Sequence, residues 1–253
     1  MINKELKNVI VFTGIYYQED AIYQMRSKIW AKTLENAEKL DVKVVVRNDG
    51  GVPEHILNEL KKFKNVTFVD KTEPATLGEG RRAIFKKGLE IAETEGIDNP
   101  VFLWTEPEKD DMITEENLSR VTSEINNGSN IVIPERGEKA WQQLPRIQSF
   151  LEKRAQGKVR DMLENASEGK AKETLDLWFG PKAFDKTGAE YFLKYNAKKD
   201  KVDLWDSLMV PVIEAVKDEI KVKSVPMDFV YNEEQIRVES DESNKEISIE
   251  RIE

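Results

Sequence analysis

The chain has 253 residues, 39% hydrophobic and 34% charged, enough for one large domain or two small ones with a substantial core. Its 39 basic and 48 acidic residues give a net charge of −9, which disfavours bulk nucleic-acid or anionic-membrane binding, since both need a basic surface. Without cysteine there is no disulfide framework or thiolate metal site, and a single histidine, His55, leaves Ser-His-Asp and Cys-His mechanisms almost no raw material.

The first residues, Met1 to Lys7, are charged and lack a signal-peptide pattern, and no apolar run reaches the roughly 18 residues of a membrane span. A cytoplasmic protein is expected. Short β-branched runs then alternate with longer amphipathic segments, the pattern of a mostly parallel sheet flanked by helices. Residues 8–13 read as the first strand. A helix over about 19–40 follows, with Met25, Ile29, Trp30, Leu34 and Ala37 at helical spacing. Residues 42–46 form a second strand ending in Arg47-Asn-Asp-Gly-Gly51, and Pro53 opens a helix carrying Ile56, Leu57 and Leu60. The third strand, 66–69, leads through Glu73-Pro74 into a helix whose mouth is Leu77-Gly-Glu-Gly-Arg-Arg82.

The fourth strand, 101–104, opens onto Glu106, Glu108, Asp110 and Asp111, with Lys109 among them. Ligands bind at the C-terminal strand ends of open α/β sheets, and closely spaced carboxylates there suit a hard divalent cation carrying a phosphate-rich substrate. A solvated acidic loop feeding the next helix has the same composition. A helix over 115–126 and a strand over 130–133 complete the regular half. Beyond it, 138–165 reads as one long or broken helix with Pro145 near its start, 167–172 as a polar linker and 175–181 as a strand ending in a turn. Residues 203–216 form an amphipathic helix, 220–225 a last strand, and 232–253 an acidic tail. One domain over 1–231 is expected, with a nucleotide-binding half to about 135 and an acceptor half after it.

Several clusters could carry chemistry. Asp49-Gly50-Gly51 puts a carboxylate at a strand end with glycines that permit close backbone approach, the needs of a nucleoside's polar edge and equally of a tight turn. Gly78 to Arg82 brings free helix amides and two guanidinium groups to where an anion could sit. This is neither a Walker loop nor a GxGxxG fingerprint, so P-loop ATPase and Rossmann dinucleotide readings lose their main support. Trp178 and Phe179, beside Asp176, offer a sugar or base platform or simply core. Asp203 suits helix capping, whereas Asp206 sits in the first turn beside Trp205.

Taken in order over roughly residues 8–230, these segments resemble the GT-A-fold glycosyltransferases, in particular the family 2-like nucleotide-diphospho-sugar transferases. The resemblance rests on Phe12-Thr-Gly-Ile-Tyr16, Asn48-Asp-Gly-Gly51, the Gly78–Arg82 helix mouth, the acidic cluster after the fourth strand, and the Trp-Phe-Gly-Pro turn followed by Asp203 to Asp206. It implies an α/β, mostly parallel sheet and transfer of a sugar from a nucleotide-diphosphate donor to a small-molecule or glycan hydroxyl acceptor. By that resemblance Thr13, Gly14, Tyr16 and Asp49 hold the nucleoside, and Gly78, Arg81 and Arg82 meet the diphosphate. Asp176, Trp178 and Phe179 face sugar or acceptor, and Asp206, with Asp203 as understudy, deprotonates the acceptor. The family's Asp-x-Asp reads Glu106-Pro-Glu108 here, so a Mg²⁺ or Mn²⁺ cofactor would be held by Glu106 and Glu108. A catalytically inactive nucleotide-sugar-binding protein is the alternative from another class. A sugar nucleotidyltransferase is the same-fold rival, although its basic residue after the first strand is missing, since no lysine or arginine follows Thr13 until Arg26.

Overall fold

The computed structural model describes residues 4–15, 23–50, 52–69, 76–166, 174–197 and 203–239. Among these, seven strands form one sheet: β1 (Val9–Ile15), β2 (Lys43–Asn48), β3 (Val66–Val69), β4 (Val101–Trp104), β5 (Ile131–Arg136), β6 (Lys182–Phe184) and β7 (Val222–Met227). Their spatial order is β3-β2-β1-β4-β6-β5-β7. The pairs β1–β2, β2–β3, β1–β4 and β5–β7 are parallel, and only β6 runs against its neighbours. The expected α/β, mostly parallel architecture is the one observed.

Helices α1 (Tyr23–Lys39), α2 (Glu54–Leu60) and α4 (Glu115–Asn126) cover one face, where Val9, Val11, Val44, Val46 and Leu103 pack with Trp30, Leu34 and Val121. The alternate residues Ile10, Phe12, Val45, Phe102 and Trp104 pack on the other face under α3 (Leu77–Thr94), α7 (Lys186–Lys194) and α8 (Asp206–Lys217). Burial on both faces explains why the strands read as continuous apolar runs rather than alternating ones. An aromatic cluster fills the second face, with Phe12 and Phe85 centroids 5.1 Å apart and Phe184 and Phe192 4.7 Å apart. Gly88 of α3 lets that helix close down, because a Cβ there would lie 2.3 Å from the Phe12 ring.

Pro145 divides the expected long helix into α5 (Glu138–Gln143) and α6 (Arg146–Ala166), and the expected tail contains a short helix, α9 (Glu233–Glu239). The strand expected at 175–181 is absent. Residues 174–181 turn without pairing, and the strand is the following Lys182–Phe184. Its three residues begin with a lysine, which no hydrophobic pattern marks as sheet interior. Asp185 then caps α7 by accepting from Gly188 N at 2.7 Å. No described helix is long and apolar enough to cross a membrane.

Candidate active site

The carboxyl ends of β1, β2 and β4 meet the N-terminal turn of α3 and the entry to α8. A cavity of about 120 Å³ opens there between Gly14, Asp49, Gly80, Arg81, Glu106 and Trp205. The sheet edge therefore gathers groups from segments far apart in sequence, as open α/β topology predicts. A wider groove of about 620 Å³ between α1 and α2 carries His55 but shares no lining residue with this cavity, so the one histidine lies outside it.

Arg47 is the main residue that the sequence reading missed. It pairs across the sheet with Gly14 and follows Val45 in strand phase, so its side chain points under α3 and is almost fully buried. Gly80 makes room, because a Cβ there would lie 2.1 Å from Arg47 Nη1. Arg47 Nε lies 2.6 Å from Asp49 Oδ1, a close ion pair, although neither Nε nor Nη2 has an aligned hydrogen-bond acceptor. Asp49 in turn leans over Gly14, where a Cβ would sit 3.1 Å from Oδ2. A charged residue in a buried strand phase was the available signal. Thr13 is one residue out of phase. It is buried on the opposite face and does not line the cavity, and Tyr16 lies outside the described residues.

Arg81 lines the cavity wall. Its guanidinium donates to the Leu204 carbonyl and to Ser207 Oγ at 2.8 Å, and lies 5.0 Å from the Trp104 ring and 5.2 Å from Trp205. Burial lowers its pKa to about 10, against the pull of Glu106, Asp49, Asp203 and Asp206. It is therefore protonated at neutral pH.

Arg82 and Asp203 are turned to each other rather than to the cavity. Arg82 donates to both Asp203 oxygens, at 3.0 and 2.8 Å, and Thr76 Oγ donates to Oδ2. The Gly78 amide donates to the Asp203 carbonyl at 2.9 Å, and a Cβ on Gly78 would lie 1.8 Å from the Asp203 carboxylate. Burial raises the Asp203 pKa, and its bonds to Arg82 and Thr76 more than reverse this, so it lies below the ordinary carboxylate range. That is the wrong direction for a general base. Thr76 and Glu79 form a capping box, so these residues together pin the α8 entry to the start of α3. Asp206 accepts from the Leu204 amide at 2.6 Å and from the Tyr195 hydroxyl, and it does not line the cavity. Both residues expected as bases thus hold structural contacts.

Asp176 is also engaged. Nearly fully buried, it accepts from Arg136 Nε at 2.8 Å and Nη2 at 2.9 Å, from the Phe179 amide at 3.1 Å, and from Gln156. Burial lowers the Arg136 pKa, and Asp176, Tyr231 and Glu152 together carry it above its ordinary value. Phe179 packs in the core 5.0 Å from Phe229, whereas Trp178 is 40% exposed. Of the expected sugar platform, only Trp178 faces solvent.

Lys182 enters the interior beside this pair. Its ammonium donates to the carbonyls of Leu177, Phe179, Gly180 and Pro181, which tie the 174–181 turn together. Complete burial lowers its pKa to about 7, although Asp176 and Glu106 oppose the shift. The unfolded chain, with a lysine near the ordinary 10.5, then binds more protons than the folded one between those values. This group's contribution to stability should rise with pH from about 7 to 10. Urea midpoints across that window should climb less steeply in Lys182→Met than in the parent, and parallel profiles would refute the assignment.

The Glu106 and Glu108 carboxylates do not converge on a common point. Glu106 Oε2 lies 3.0 Å from Lys109 Nζ, and Glu108 reaches Arg26 at 4.0 Å. Among the described residues, no group of three or more His, Cys, Asp or Glu side chains could hold an ion. The acidic cluster is interleaved with cations, and this donor set does not fit Mg²⁺ or Mn²⁺, each of which wants several convergent oxygens. Gly14, Asp49, Gly80, Arg81 and Glu106 do converge, with Gly78 at the same helix mouth.

No model of a known protein family matches the chain, and no curated protein matches it by sequence. Solved structures do. Glucosyl-3-phosphoglycerate synthase from Mycobacterium tuberculosis, solved with phosphoglyceric acid, superposes at a TM-score of 0.53 and 11% identity over 92% of this chain and 76% of that one. A Desulfovibrio desulfuricans G20 protein described as a nucleotide-diphospho-sugar transferase superposes at 0.50 and 11% over 93% of this chain and 89% of that one. The chain thus has a GT-A-like fold.

Proposed function

We propose that this chain is a transferase acting on a nucleotide-diphosphate donor, and specifically that it moves a sugar to a hydroxyl acceptor. The observation carrying this reading is the buried Arg81 guanidinium at a cavity on the carboxyl edge of the sheet, with the Arg47–Asp49 ion pair on the same lining. Fixed cations in a water-poor site stabilise charge developing on a diphosphate leaving group. Asp49 is then offered to the nucleoside, and Trp205 presents exposed aromatic surface on the cavity lining.

A second reading, a binding protein without turnover, is favoured by one observation: Asp203 and Asp206 both carry structural hydrogen bonds. Calorimetry with UDP-, GDP-, CDP- and dTDP-sugars, followed by donor hydrolysis and transfer assays, separates the two. Saturable binding with turnover supports the transferase, binding alone supports the second reading, and no binding by any donor removes both.

A further inference from the structure

We infer that the donor site works without a divalent cation, because the carboxylate standing where a metal ligand is expected is neutralised by the chain's own Lys109. This rests on the donor reading above and changes what that reading requires.

Glu106 is the only acid of the cluster that lines the cavity. Lys109 is fixed beside it by a tight turn, its amide donating to the Glu106 carbonyl at 3.1 Å while its ammonium stands 3.0 Å from Oε2, an ion pair without an aligned hydrogen bond. This lysine is no wandering surface group. Its side chain is 16% exposed and lies 5.6 Å from the Phe179 ring. The other flank of the carboxylate presses on the 174–181 turn, where a Cβ on Gly180 would lie 1.8 Å from Oε1. Burial pushes the Glu106 pKa up, and Lys109 followed by Lys182 bring it below the ordinary range, so the group stays an anion with a partner.

The other acids of the cluster have partners of their own. Glu108 faces Arg26, Asp110 meets Lys32 at 2.5 Å, and Asp111 accepts from the Val230 amide at 2.9 Å. A cation entering here would have to break the Glu106–Lys109 pair, and the other carboxylate on the cavity, Asp49, is already paired with Arg47. The charge balance needs none. Asp49 offsets Arg47 and Lys109 offsets Glu106, which leaves Arg81 as net positive charge at the cavity for an anionic donor. In a metal-dependent transferase the ion supplies that charge. Here fixed side chains supply it, already oriented.

Two measurements on the full chain test this. Calorimetry with UDP, GDP, CDP and dTDP compares affinity in EDTA with affinity in millimolar Mn²⁺. Electron paramagnetic resonance of free Mn²⁺ detects binding of the ion alone. The expected result is equal affinity within about twofold, an undiminished free-ion signal, and about tenfold weaker binding in EDTA for Lys109→Met. A gain of about tenfold or more with Mn²⁺ in the parent, Mn²⁺ uptake abolished by Glu106→Gln, or unchanged affinity in folded Lys109→Met would overturn the inference. If no diphosphate binds under any condition, the donor reading fails instead, and the Mn²⁺ signal alone still decides whether Glu106 is a metal ligand. Should Lys109→Met fail to fold, the parent's behaviour with and without the ion is sufficient.

Discussion

Asp176→Ala is expected to lower the unfolding free energy by about 3–5 kcal/mol, the cost of breaking a buried, bidentate ion pair from one side. Arg136 is 4% exposed and stacks 3.9 Å from Trp141. Its fork is matched by Asp176 on one side and by Glu152 at 2.5 Å on the other. Removing Asp176 also frees the Phe179 amide and Gln156, so the 174–181 turn keeps its Lys182 contacts but loses those to Asp176. The desolvation cost of the pair is present either way, and this is why breaking it costs more than the pair itself contributes. Urea denaturation with linear extrapolation reads the effect. A loss below about 1 kcal/mol would mean that water reaches Arg136 and that Asp176 is available to a ligand after all.

The convergence of Asp49, Gly78 and Glu106 on one edge was legible because strand–helix alternation fixes a parallel sheet, and parallel strands place their following loops on the same side. What each acid does there was not legible. Asp203 finds Arg82, 121 residues away in the chain, and Asp176 finds Arg136, 40 residues away. Residue type gives a carboxylate its chemistry, whereas only the packed structure gives it a partner.

The missed strand β6 has the same origin. Lys182–Phe184 is too short for periodicity, and a lysine at its head argues against burial until four carbonyls are seen around it. Arg47 and Lys109 were visible as letters and overlooked as partners, one buried in strand phase and the other three residues after a glutamate. The glycines were more informative than their count suggested. Gly80 and Gly180 mark where a guanidinium and a carboxylate need the space that a Cβ would take.

Arg81 and Arg82 are adjacent in sequence and both brace the α8 entry, yet only the replacement of Arg81 should weaken binding. Arg81→Met keeps much of the length and apolar bulk between Trp104 and Trp205 while removing the charge that faces the cavity. Nucleoside-diphosphate affinity should fall by about 1.5–3 kcal/mol, the range for hydrogen bonds to charged groups. Arg82→Met acts on Asp203 instead, loosening the contact between the α8 entry and the start of α3. It should lower thermal stability while changing affinity by less than about threefold. Calorimetry and thermal denaturation on both variants decide the matter. Equal affinity losses would place both guanidinium groups on the ligand, which would require the Asp203 pair to open when the donor binds.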